Sequence, residues 1–187
     1  MREAGPLSLS EELASELESA GLDPLLIGAA ALAAHGYFRS TEDVDFAVAV
    51  PPAEFKKLFE RLSGSGFEGH LMQSDAADPL GGVMTFEAEG SRPVQVVNFD
   101  NSPAGGFPAL VRSAEQRAER REGLPGRLVS AEHLVLFKLY AGGTKSKLDI
   151  TELMTRVQLD MDLLRNEARQ FRMDGKLERL LSSLDED

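Results

Sequence analysis

The stretch that most limits how this chain can fold is "TEDVDFAVAV", ending at Val50 and closed by Pro51 and Pro52. Apolar residues alternate along it with period two, and the prolines stop it, so it reads as one β-strand. Val44, Phe46, Val48 and Val50 form a core face, while Asp43, Asp45, Ala47 and Ala49 share the other. Two carboxylates at i and i+2 then point the same way, roughly 7 Å apart along the strand. Like charges that close are costly unless water or a cation neutralises them. The residues alone leave two readings open: a solvated strand start, or a divalent-metal site.

The flanking sequence builds a small fold around that strand. Before it, "LDPLLIGAAALAAHG" gives a short buried strand over 25–28 that enters a helix directly and stops at Gly36. Backbone N–H groups at a helix start bind phosphate, and Gly28, Ala29 and Ala30 are small enough to allow close approach. After it, "PAEFKKLFERLSGSG" is a helix with Phe55, Leu58, Phe59 and Leu62 on one face. A weak strand and a loop follow, and then "VMTFEAEG" and "RPVQVVNFD", a hairpin about a turn containing Gly90. At the start, Ser8 or Ser10 caps a helix over 8–20, with Ser8 and Glu11 at capping-box spacing.

Beyond Asp100 the character changes. "NSPAGGFP" is a loop, and helices are expected over 109–120, 130–140 (capped by Ser130), 145–157, 161–170 and 175–184. "LPGRLVS" is a short strand and the "DED" tail is frayed. The expected class is α+β. A small mixed sheet flanked by helices occupies 1–105, and a helical C-terminal half over 106–187 completes the cleft. The helices "LDMDLLRNEARQF" and "KLERLLSSL" offer apolar stripes for a homo-oligomer.

Composition narrows the function. The 187 residues include no cysteine, which excludes disulfides and thiolate metal sites. The polar N-terminus is not a signal peptide and no run is long enough to cross a membrane, so a cytoplasmic protein is the expectation. The net charge of −11 argues against broad binding to nucleic acid or anionic membranes. Two local basic runs remain, over 112–123 and 138–147.

Taken in order, "IGAAAL", "RSTEDVDF" and "FKLYAGGTKSKLDI" resemble the nucleotidyltransferase superfamily over about 25–154. They are most similar to the small bacterial nucleotidyltransferases of the abortive-infection AbiEii type and their minimal relatives. The resemblance implies transfer of a nucleoside monophosphate from an NTP to an acceptor, with Mg²⁺ or Mn²⁺. Asp43 and Asp45 would hold the metal. The 28–30 turn and Ser40 would face the triphosphate. Arg39, Lys138 and Lys145 would offset phosphate charge, and Asp149 would orient the lysines. The acceptor classes implied are tRNA, a protein hydroxyl or a small molecule, and the AbiEii likeness adds a cognate antitoxin as partner.

The pattern also departs from the family. The third carboxylate's place is taken by Gln95 in "VQVV", with Asp100 and Glu87 as possible substitutes. Ala29 replaces the second small polar residue of the turn, and Ser146 stands where an aspartate is usual. A carboxamide cannot accept a proton as a carboxylate does. The alternative function is therefore a degenerate nucleotidyltransferase-like module that binds a nucleotide or a protein. Plain structural readings also stand beside the chemical ones. Lys145 and Asp149 could form an i,i+4 helix pair, Arg39 could pair with Glu42 or Asp43, Lys138 could be a surface lysine, and 112–123 could be a solvated helix face rather than an RNA contact. Three scattered histidines make no zinc site.

Overall fold

Ser8 opens the first helix of the computed structural model, which describes residues 8–75, 80–102 and 105–184. Its hydroxyl accepts from the Glu11 N–H, and the Glu11 carboxylate accepts from the Ser8 N–H at 2.8 Å, a complete capping box. The helix, α1 (Leu9–Ser19), buries Leu9, Leu13, Ala14 and Leu17. Strand β1 (Leu25–Ile27) is buried throughout and passes straight into α2 (Gly28–Ala34). Then come β2 (Val44–Val48), α3 (Pro52–Gly64), β3 (Gly69–Met72), β4 (Val83–Phe86) and β5 (Val94–Asn98). Asp43 lies just before β2 rather than inside it.

The expected loop after β5 contains a further antiparallel pair, β6 (Asp100–Asn101) with β7 (Gly105–Gly106). The second half is α4 (Pro108–Arg117), β8 (Arg127–Leu128), α5 (Ala131–Ala141), α6 (Gly143–Arg156), α7 (Met161–Gln170) and α8 (Asp174–Leu184). Helix α4 is shorter than its sequence suggests. Ala118 is extended (ψ 144°), and Glu119 exchanges two backbone hydrogen bonds with Leu128, at 3.1 and 2.8 Å. Helix α6 begins two residues earlier than expected, on the Gly142–Gly143 pair, whose φ values are both positive. The "DED" tail lies outside the described residues.

Six strands form a mixed sheet in the order β3-β4-β5-β2-β1-β8. Strand β2 runs parallel to β5 and antiparallel to β1, and β8 runs parallel to β1. On one face Leu26, Phe46, Val96 and Met84 form a fully buried row. Helix α3 covers that side, with Phe59 against Phe86 at 5.8 Å between ring centres. The registers put Ile27, Asp45, Gln95, Thr85 and His70 in one row on the opposite face. That face is not polar along its length, since Ala47 is fully buried. Beyond Asp45, α5 stands over it: Leu134, Phe137 and Lys138 face Ile27, Asp45 and Val97 across a cavity.

The helical half is packed from within. Leu164, Ala168, Leu177 and Leu180, part of the stripes that suggested self-association, are buried inside the chain. Fully buried His133 ties α5 to its neighbours, with Nδ1 3.0 Å from Ser130 Oγ and Nε2 3.1 Å from Ser113 Oγ. Among the described residues, no helix is long and apolar enough to cross a membrane.

Candidate active site

Gly28 fixes the geometry at the sheet end. Its φ is +65°, and a Cβ there would overlap the Asp45 carboxylate, so only glycine fits between α2 and β2. Ala29 is buried in the core and Ala30 half-buried, so Gly28 alone of that turn is shown against the carboxylate. Asp43 is held by the Thr41 hydroxyl, which donates to its Oδ1 at 2.8 Å. Burial and the adjacent charge of Asp43 push the Asp45 carboxyl up to about 6, against the opposing pull of Lys138, Arg39 and Lys145.

The cations are organised by Asp149. Its side chain is 1% exposed, with Lys138 Nζ at 2.7 Å and Arg39 Nε at 3.0 Å. The Lys138 contact and the Arg39 Nη2 contact at 3.3 Å are hydrogen bonds. The Nε contact is too bent for one and acts through charge alone. Asp149 therefore pairs neither with Lys145 four residues earlier nor with solvent. Arg39 pairs with Asp149 instead of Glu42 or Asp43. Lys145 is exposed on the first turn of α6, close enough to act on Asp45. Ser40 is exposed, and its carbonyl accepts from Arg39 Nη1 at 3.3 Å.

Gln95 is the direct strand neighbour of Asp45 on the same face. Neither substitute carboxylate reaches that position. Asp100 is engaged by the Ser102 N–H at 2.8 Å and by its hydroxyl. Glu87 lines a separate 640 Å³ groove with Glu12, Glu16 and Glu68. What the sequence did not reveal is an apolar cavity of 380 Å³ that opens beside Asp45 and Lys138 and is lined by Val97, Phe99, Phe137 and Tyr140. Phe99 meets Phe137 edge-on at 4.9 Å. The one sequence hint was that "AEHLVLFKLY" is apolar on nearly every side.

The residues fit a hard divalent cation in one respect. Asp43 and Asp45 supply two oxygen donors whose charges oppose one another until a cation joins them. Among the described residues no group of three or more acidic or histidine side chains could hold a metal, so further ligands would be phosphate and water. Two of the four arginines in the basic run over 112–123 are paired in place. Arg120 pairs with Glu18 at 2.8 Å and Arg121 with Glu119 at 2.9 Å.

This mixed sheet flanked by helices, with a helical half beside it, is a nucleotidyltransferase-like fold. The solution structure of ANT(2'')-Ia, an antibiotic-resistance factor, is similar with TM-score 0.51 and 17% identity, over 88% of this chain and 90% of that one. The crystal structure of ANT(2'')-Ia in complex with adenylyl-2''-tobramycin gives 0.51 and 17%, over 84% and 93%. An antigenic nucleotidyltransferase-like protein from Paracoccidioides brasiliensis gives 0.50 and 22%, over 95% of each chain. No protein-family model matches the sequence, and no curated protein does.

Proposed function

We propose that this chain is a Mg²⁺-dependent nucleotidyltransferase that moves a nucleoside monophosphate from an NTP to a hydroxyl acceptor. One juxtaposition carries the reading. Asp45, with the Asp43 charge acting on it, meets Gly28 at its positive φ, feels three cationic side chains and lines an apolar cavity. Asp43 and Asp45 would hold Mg²⁺ or Mn²⁺. When bound, the metal supplies a Lewis acid that offsets charge on the transferring phosphoryl group and the departing pyrophosphate. Lys138 and Arg39, held by Asp149, present fixed positive charge beside the carboxylates. Lys145 and the exposed Ser40 extend that polar rim. The cavity walls, Phe99, Phe137 and Tyr140 among them, take the nucleoside and keep water from the reacting phosphate.

The pairing of Arg120 and Arg121 and the overall acidity favour a small acceptor over tRNA. The likeness to ANT(2'')-Ia, seen with an adenylylated antibiotic, points the same way. A toxin role with a cognate antitoxin is supported by the AbiEii resemblance of the motifs alone. A second reading has its own observation. With Gln95 beside Asp45, the site lacks a base in the position where a third carboxylate would remove the acceptor's proton, which favours a binding module.

Calorimetric titration of each NTP with and without Mg²⁺, followed by transfer of label from the bound NTP, tests these readings. Metal-dependent binding with transfer supports the enzyme. Metal-dependent binding without transfer supports the module. No binding of any NTP would overturn the enzyme and the nucleotide-binding module and leave a module that binds a protein.

A further inference from the structure

The side of α6 away from Asp149 carries a second cationic feature. The α5–α6 turn and α8 enclose a 330 Å³ groove lined by Lys147, Lys176 and Arg179 and by the apolar Leu139, Ile150 and Leu180, and among the described residues no acidic side chain lines it. Lys147, Lys176 and Arg179 form no ion pair among the described residues. By contrast Arg120 and Arg121, in the other basic run, are answered by Glu18 and Glu119. Three unanswered cations held together repel one another, and an anion relieves that repulsion. Lys147 stands on α6 and Lys176 and Arg179 on α8, so only the packing of those two helices assembles the cluster.

The groove and the Asp45 cavity share one wall residue, Lys138. Helix α6 turns Lys145 and Asp149 toward the carboxylates, and Ser146, Lys147 and Ile150 toward the groove. We infer that the groove binds the phosphate of a small phosphorylated second substrate, distinct from the NTP, whose hydroxyl is the acceptor. The identity as acceptor rests on the nucleotidyl-transfer reading, whereas the anion site does not. A compact phosphomonoester is favoured over a nucleic-acid strand because the cations form one cluster, not a stripe, and a long polyanion would meet the acidic surface.

The test is an NMR titration of the full chain with glycerol 3-phosphate at fixed ionic strength without metal, with glycerol as control. Saturable shifts are expected over 142–147 and 176–183, and none with glycerol. Lys147→Gln with Arg179→Gln should raise Kd at least tenfold with an unchanged melting temperature, and Lys147→Arg with Arg179→Lys should restore binding. Asp43→Asn with Asp45→Asn should leave Kd unchanged. Saturating Mg²⁺ and a non-hydrolysable ATP analogue should also leave it within threefold.

Shifts centred on 28–45, or an unaltered Kd in the charge-neutral variant, would overturn the anion site. Displacement by the analogue would assign the groove to the NTP's own phosphates. A single-stranded RNA that binds tenfold tighter, with shifts reaching 112–121, would replace the small acceptor with nucleic acid. If the analogue fails to bind at all, the nucleotidyl-transfer reading fails, and the metal-free titration still decides the anion site.

Discussion

Burial and the charge of Asp43 raise the Asp45 carboxyl from 3.8 to about 6, so without a cation the folded protein holds this carboxylate at a cost. The folded state binds more protons than the unfolded chain between those values. Stability therefore falls as pH rises through that window, by about 3 kcal/mol in all. Asp45→Asn should raise the metal-free stability at pH 7.5 by a comparable order and abolish Mg²⁺-dependent NTP binding. Urea unfolding and calorimetry read the two effects, and a destabilised Asn variant would show that charge is not what strains the site. Gly28 carries the complementary constraint. Gly28→Ala should cost at least about 1–2 kcal/mol from its positive φ alone, and more from the overlap with Asp45. Only the overlap should be relieved in Gly28→Ala combined with Asp45→Ala, so the pair should be non-additive in urea melts. The glycine was legible as a turn. Its contact with Asp45, across an antiparallel pair and many residues of chain, was not.

Helix α5 shows how one element fixes several others. The Ser113 hydroxyl donates to Glu167 Oε2 at 2.7 Å, so it accepts from His133 Nε2. Ser130 Oγ accepts the His133 backbone N–H as N-cap and turns its own hydrogen to Nδ1. A neutral ring satisfies every partner, and burial lowers the His133 pKa below 6.5 despite the nearby Glu167. The stability this confers is present above 6.5 and is lost as pH falls through it, because the unfolded chain takes the proton first. Asp45 acts in the opposite sense below 6, so the His133 limb is isolated by difference. His133→Gln should cost about 1–3 kcal/mol at pH 7.5 and narrow its deficit as pH falls toward 5. A pH-independent deficit in chemical denaturation would remove the titration from the account. On α6, Asp149→Asn leaves Lys138 and Arg39 facing each other without their anion, and should cost about 3–5 kcal/mol in the same assay. The sequence offered a helix pair between Lys145 and Asp149, because spacing reports which residues share a face but not what that face meets. Likewise "RAERREG" has helical propensity through Arg120, yet Glu119 takes its hydrogen bonds from Leu128, and tertiary pairing wins.

At the scale of the molecule, what could be read beforehand was whatever depends on local pattern. The alternation that makes β2, the capping box of α1, the hairpin about Gly90 and the Ser130 cap of α5 are all written within a few neighbouring residues. The aromatic cavity and the cationic groove were not readable, because each joins segments far apart in sequence. The division into a sheet-bearing part over 1–105 and a helical part over 106–187 meets the same difficulty. Strand β8 belongs to the second part by sequence, yet it pairs with β1 at Leu25 and Leu26 and forms the edge of the sheet. Helix α5 walls the cavity over Asp45, and Leu134 and Phe137 from it join the same core as Phe46 and Val96. Removing 106–187 would strip β1 of a partner and uncover apolar residues on the Asp45 face, so a fragment ending at 105 should not fold alone. The full chain should instead unfold in one cooperative step. With no tryptophan and two tyrosines, Tyr37 before β2 and Tyr140 on α5, fluorescence watches one residue from each part, and far-UV circular dichroism watches the helices. Coincident urea transitions by the two probes are expected. Two separated transitions, or a folded 1–105 fragment, would mean that β8 and α5 only dock onto a sheet already stable without them.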